Sequence, residues 1–209
     1  MAVAFVFSCS VNSVKADDIF TPPWQRDTPG TTWEAWTFTT AANPSAPDEG
    51  YFNPYGTPQA TINAGTSQWS ALYNGHIGVW TLGASDSIDF GIPNTPLDPT
   101  KNKYVWTQLF WQSDNNGTPV VTVDGVQSTL VESQSEPGGW IAGAYESVLP
   151  QNPAFEDVLV TGSLPGTTFD LGEVFIDTIC VPEPSSLALL AVGTISLLTY
   201  ASRKRRLAA

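Results

Sequence analysis

Turn-forming residues break this chain into short pieces, and that spacing constrains its fold more than any other feature. Clusters fall at Asn43 to Asp48, Asn53 to Pro58, Asp114 to Pro119, Asp124-Gly125, Glu136 to Gly139 and Leu164 to Gly166. Between them lie short runs rich in β-branched and aromatic residues, which read as strands. The expected strands are Trp33–Thr39, Gln59–Ile62, Ile77–Leu82, Ser87–Phe90, Tyr104–Gln112, Val120–Val123, Gln127–Glu132, Trp140–Ser147, Phe155–Thr161 and Thr168–Ile179. Outside the C-terminal tail no window between breakers sustains an i, i+3, i+4, i+7 apolar pattern. The expectation is an all-β domain, a single jelly-roll-like β-sandwich over residues 17–180.

Two segments sharpen it. Asp124-Gly125 sits between two apolar-rich runs, the signature of a two-residue hairpin. In the last run, alternation puts Val174, Ile176, Thr178 and Cys180 on one face and Glu173, Phe175, Asp177 and Ile179 on the other, which predicts one buried and one mixed face. The same alternation sends Trp106 and Trp111 to opposite faces, one of them toward solvent.

The 209 residues suit one domain, and eight Trp, ten Phe and six Tyr can fill its core, which excludes a disordered acidic tail. Between Asp17 and Cys180 three bases (Arg26, Lys101, Lys103) face nineteen acids, a net charge of −16. A chain so short of cations is no nucleic-acid binder, because affinity for phosphates rests on Lys and Arg. Cys180 is the single cysteine of this segment, so no internal disulfide forms there.

Both ends read as export signals. Residues 1–16 are an apolar stretch with Val14 and Ala16 at the −3 and −1 positions before Asp17, the pattern of a secretory signal cleaved between Ala16 and Asp17. No Lys or Arg precedes the apolar run, so the natural start is expected upstream. At the other end residues 185–202 carry no charge and would span about 27 Å as a helix, enough to cross a bilayer. Arg203, Lys204, Arg205 and Arg206 follow at once and orient that helix with the basic end in the cytoplasm. The acidic domain therefore lies on the far side of the membrane.

Val181-Pro182-Glu183-Pro184 leads directly into the apolar stretch and the basic cluster. This order of Pro-Glu-Pro, short transmembrane helix and Arg-rich end resembles the PEP-CTERM sorting signal of Gram-negative bacteria, over residues 181–209. The resemblance implies recognition by an exosortase, a membrane Cys protease/transpeptidase. It would cut near Pro182, Glu183 and Pro184, so that the helix is a transient anchor before release to the envelope or the extracellular space. The residue types suit that role: prolines fix φ, lack an N–H and keep the segment extended for a protease cleft. A plain hinge before a permanent anchor is the alternative.

Catalytic signatures are sparse. His76 is the only histidine, no Gly-x-Ser-x-Gly elbow or Walker loop is present, and one His with one Cys cannot supply a zinc site. Carboxylate pairs that would suit a glycosidase, such as Glu132 with Glu136, Glu146 with Glu156 or Asp86 with Asp89, are expected by accident among nineteen acids. No enzyme and no organic cofactor is expected. Asp114, Asn116 and Asp124 are the candidate calcium ligands, hard oxygens that a tight turn also requires. Trp106, Trp111 and Trp140 are the candidate sugar-stacking platform, set against the core-filling role such rings usually have. The function expected is a structural or adhesive protein of the envelope or extracellular matrix, with a carbohydrate- or calcium-binding module as the alternative and polysaccharide as a partner.

Overall fold

The computed structural model describes residues 18–63, 65–114, 117–162, 168–182, 192 and 194. Thirteen strands follow in chain order: β1 Thr31–Trp36, β2 Gly50–Phe52, β3 Gln59–Asn63, β4 Gln68–Tyr73, β5 His76–Leu82, β6 Ser87–Pro93 and β7 Lys101–Ser113. They continue as β8 Val120–Val123, β9 Val126–Gln127, β10 Thr129–Ser135, β11 Ile141–Leu149, β12 Phe155–Thr161 and β13 Phe169–Pro182. One sheet runs β10-β11-β7-β13-β1-β2, with β5 paired to the first residues of β13, Phe169 to Leu171, and β4 on β5. The other runs β3-β6-β12-β8-β9. Every pairing is antiparallel, and the two sheets pack face to face as a sandwich, as the turn spacing predicts.

Alternation decides what lies between the sheets. From the larger sheet Trp36, Val105, Leu109, Trp111, Val174 and Ile176 point inward, and from the smaller one Ile62, Ile88, Phe90, Val121, Val158 and Val160 meet them. Trp36 and Phe90 join the layers edge to face at 4.9 Å. Asp124 and Gly125 both take positive φ, 48° and 77°, as a two-residue hairpin requires between β8 and β9.

The structure corrects several details. β2 and β4 are additional strands, and the expected strand Gln127–Glu132 is two, with buried Ser128 crossing from β9 in one sheet to β10 in the other. β1 stops at Trp36 because Phe38 turns to φ 50°. The outer face of β13 is buried too. The segment from Asp18 to Thr28 lies across it, with Arg26 bound to Asp177, Phe20 N–H donating to Gln108 Oε1 at 2.6 Å and Trp106 Nε1 donating to Phe20 O at 3.0 Å. Among the described residues no helix is long and apolar enough to cross a membrane. The expected signal (1–16) and transmembrane segment (185–202, apart from Val192 and Thr194) lie outside the described residues.

Candidate functional site

Three strands break their own apolar alternation at the same end of the sandwich, and a residue just past a fourth joins them. Glu34 points inward between Thr32 and Trp36 in β1, Lys103 in line with Val105 in β7, and Glu156 in line with Val158 in β12, while Asn94 continues the inward row of Ile88, Phe90 and Ile92 just past β6. Lys103 Nζ and Glu156 Oε1 meet at 2.9 Å with both side chains fully buried. Asn94 Nδ2 donates to the same Glu156 Oε1 at 2.6 Å, to Asn152 Oδ1 at 2.6 Å and to Pro153 O at 2.8 Å. Lys103 Nζ also lies 3.6 Å from Cys180 Sγ, which donates to Asn152 Oδ1 at 2.9 Å. Glu34 accepts from Asn53 Nδ2 at 2.9 Å. The result is a polar nest sealed between the sheets.

Burial dominates its protonation. Removal from water pushes Glu34 up to about 8, helped by the nearby charge of Glu156 and opposed by hydrogen bonds from Asn53 and Thr32. Burial also pushes Glu156 up to about 7, although Lys103 pulls the other way. Each keeps one oxygen, Oε2, without a hydrogen-bond partner. Lys103 and Glu156 are in hydrogen-bond contact and can pass a proton between them, whereas Glu34 is coupled to them only through the charge of Glu156. At full burial they are closed to an outside substrate.

The nest adjoins the start of the sorting motif. On β13, Cys180 pairs with Lys103, Val181 with Asn102 and Pro182 with Lys101. Lys101 in turn reaches Asp98 at 3.0 Å, and Asp98 is held down to about 2 mainly by the Thr100 hydroxyl, with Lys101 adding to it. Pro182 thus ends the last strand. Glu183, Pro184, Arg203, Lys204, Arg205 and Arg206, and at the other terminus Ala16 and Asp17, lie outside the described residues.

The three candidate stacking indoles are all buried. Trp111 faces the core and donates to Gly117 O, and Trp106 takes the opposite face, as the alternation predicts, but the segment from Asp18 to Thr28 covers it. Trp140 is also fully buried, against His76 at 4.2 Å, with its Nε1 on Asn74 O. Of the three candidate calcium ligands, Asp114 and Asp124 stand at the ends of strands in different sheets. Asp114 follows β7 at the far end from Lys103 and accepts from Thr168 Oγ1 at 2.7 Å, whereas Asp124 turns the β8–β9 hairpin of the other sheet and accepts from Asp157 N–H at 3.0 Å. Asn116 lies outside the described residues. Among the described residues no three His, Cys, Asp or Glu side chains converge as a metal site.

Two partnerships were not foreseen. His76 does have a carboxylate beside it, Glu173 Oε1 at 3.4 Å from Nδ1. Glu156 lies within electrostatic reach of Glu34 of β1, whereas Glu146 lies on the outward parity of β11 beside Trp106. The available signal was parity: a charged residue on the apolar side of three separate strands marks an inward charge that must find partners.

Residues 181–206 match the PEP-CTERM protein-sorting motif. The chain is therefore a β-sandwich carrying the sorting motif of an exported, exosortase-targeted protein. Among solved structures it is similar to a family 35 carbohydrate binding module from Clostridium thermocellum, with a TM-score of 0.41 and 11% identity over 56% of this chain and 90% of that one. It is also similar to the exo-β-1,3-galactanase of Phanerochaete chrysosporium, at TM-score 0.39 and 18% identity over 61% of this chain and 30% of that one. A GH26-CBM35 β-(1,4)-mannanase of Podospora anserina gives 0.37 and 11% over 73% of this chain and 29% of that one. No curated protein sequence matches the chain.

Proposed function

We propose that this protein is a structural or adhesive component of the cell envelope or extracellular matrix, processed by an exosortase and without catalytic activity of its own. The observation that carries the reading is the continuity of β13 with the motif: a central strand of the sandwich stays hydrogen-bonded through Val181 and Pro182, the first residues of the sorting signal. The sandwich needs no linker to present its tail. A cut beyond Pro182 leaves every strand intact, so the cargo is the whole folded domain. The non-catalytic part is supported by the sealing of Glu34, Lys103 and Glu156, which a substrate cannot reach without opening the sandwich.

Charge supports a passive matrix role. Arg26, Lys101 and Lys103 are all engaged in ion pairs, leaving a surface dominated by acids. Such a surface avoids anionic polymers unless divalent cations bridge them. The test is the intact mass and fractionation of the protein from cells with and without the sorting enzyme. Release into the matrix fraction with a shortened C-terminus in the first, and retention in the membrane with the tail intact in the second, is expected. A C-terminus at Ala209 in both would overturn processing, and a processed protein found only free in the medium would overturn the matrix role.

A second reading, direct polysaccharide contact, shifts from the indoles to Tyr51 and Tyr55, each exposed, on β2 and the turn after it. Flat rings on an edge strand are suited to stacking on sugars. Loss of polysaccharide retention in Y51A/Y55A, with unchanged melting temperature, is the expected outcome on that reading.

A further inference from the structure

We propose that Lys103 and Asn94 are joined by a side-chain amide bond that the folded domain forms on itself, with Glu156 carrying the protons. The geometry is specific to that reaction. Glu156 Oε1 touches both Lys103 Nζ, at 2.9 Å, and Asn94 Nδ2, at 2.6 Å. One carboxylate oxygen thus contacts the nitrogen that attacks and the nitrogen that leaves. The carbonyl oxygen of the same carboxamide, Asn94 Oδ1, accepts the Thr95 N–H at 2.8 Å, a backbone donor placed where charge develops when the carbonyl is attacked. Lys103 and Glu156 are fully buried and Asn94 is 8% exposed, so water does not compete as a nucleophile.

The step balances without any added reagent. Glu156 takes a proton from the Lys103 ammonium, and the free amine adds to Asn94 Cγ. Glu156 returns that proton to Nδ2, the Cγ–Nδ2 bond breaks and ammonia leaves. Glu156 then takes the second proton from Nζ, so that the amide Nζ–Cγ replaces the amide Cγ–Nδ2 and Glu156 ends as the neutral acid, the one proton released by the former ammonium resting on it until water removes it. Holding amine and carboxamide on one carboxylate oxygen substitutes for high concentration, which is how fixed groups react at useful rates.

The protonation states favour it. A buried ion pair gains by collapsing to a neutral amine and a neutral acid, because the dry interior penalises both charges. Burial of Glu156 raises its affinity for that proton. Glu34, pushed still higher, stays uncharged at neutral pH and adds no second anion to the nest. Asn152 is the other buried carboxamide nearby, but its Nδ2 donates to Thr95 Oγ1 at 2.6 Å. It therefore has no acid on its leaving nitrogen.

Such a bond would tie β7 of one sheet to the end of β6 in the other, immediately beneath the strand that carries the sorting tail. In a domain whose single described cysteine is free, it would supply the covalent brace that a disulfide cannot.

The experiment is protease mapping by mass spectrometry of the folded, full-length wild-type protein isolated from its cells. The expected result is a branched peptide joining Lys103 to Asn94, lighter than its two parts by one ammonia, with trypsin cutting after Lys101 but not after Lys103. In E156Q and K103R, with folding verified by circular dichroism, the branch should be absent. Separate, unmodified Lys103 and Asn94 peptides from folded wild type would overturn the proposal, whatever the variants do. A branch from Lys103 to Asn152, or one retained in folded E156Q, would overturn the roles assigned to Asn94 and Glu156.

Discussion

Arg26 holds Asp177 through two parallel contacts, Nε to Oδ1 at 2.5 Å and Nη2 to Oδ2 at 2.6 Å, across 151 residues of sequence. The pair pins the segment from Asp18 to Thr28 over the outer face of β13. Asp177 is almost fully buried, and burial pushes its carboxyl up to about 6 even with the guanidinium beside it. R26A should therefore leave a buried carboxylate without its cation. Breaking a fully buried pair costs about 3–5 kcal/mol, and the quarter exposure of Arg26 reduces that to roughly 2 kcal/mol. The expected readouts are a lower denaturant midpoint and a red-shifted tryptophan emission as Trp106 loses its cover. R26K should recover little, since an ammonium cannot make the two-pronged contact. An unchanged midpoint in R26A would show that the segment is held by its other contacts.

Stability should fall as pH rises from about 5 to 8. Glu34 titrates near 8 in the folded domain and Asp177 near 6, both above their unfolded values because of burial. In that window the folded state binds more protons than the unfolded one, so raising pH favours unfolding, and the slope levels off above pH 8. Melting temperatures across the range give the profile. E34Q stays neutral at every pH, and its amide oxygen can still accept from Asn53, so it should flatten the upper half of the slope. A profile that is the same in wild type and E34Q would place the titrating groups elsewhere.

Gly78 should accept no side chain. Its φ is +69°, and a Cβ there would collide with the backbone carbonyl oxygens of Thr37 and Phe38. Phe38 is itself in the left-handed region, and its carbonyl accepts Trp69 Nε1 at 2.8 Å, so neither chain can shift without breaking that bond. G78A is expected to cost about 3 kcal/mol or more, combining left-handed backbone strain with the collision. The check is the thermal midpoint of soluble G78A against wild type. A midpoint within a degree or two would mean that β5 moves away from Phe38 freely.

What was legible in the sequence was governed by local rules. The Asp124-Gly125 hairpin and the inward row Val174, Ile176 and Thr178, ending on the half-buried Cys180, follow from turn chemistry and alternation, and both are present. The hairpin at Asn74-Gly75 carries an equally local signal, with φ of 45° and 91°, but the strand before it holds Ser70 and Ala71 and faces solvent, so its β character is weak. Tertiary cover is a different matter. Nothing around Trp106 in the sequence tells of Phe20 lying 86 residues away with its carbonyl on the indole. The nest is intermediate: Glu34, Lys103 and Glu156 each violate the apolar side of their strand, which marks them as inward, but which of them meet depends on register between the sheets.

Asp86 should set the acid limit of stability. Its buried carboxylate accepts Gly65 N–H at 2.8 Å, Gly83 N–H at 3.0 Å and the Thr66 hydroxyl at 3.0 Å, tying the start of β6 to the loop before β4. Burial works against the charge, but these donors outweigh it and hold the carboxyl below the ordinary aspartate range. A depressed folded-state value stabilises at all pH above the unfolded value, and that contribution disappears as pH falls through the folded one. Combined with the opposite slope from Glu34 and Asp177, it predicts a stability maximum on the mildly acidic side of neutral. D86A leaves the amides of Gly65 and Gly83 without an acceptor and should cost about 2–4 kcal/mol. D86N keeps one acceptor oxygen and should fall between D86A and wild type, with its acid-side decline shallower than that of wild type. If D86N and wild type lose stability in parallel below pH 4, other carboxylates govern acid unfolding.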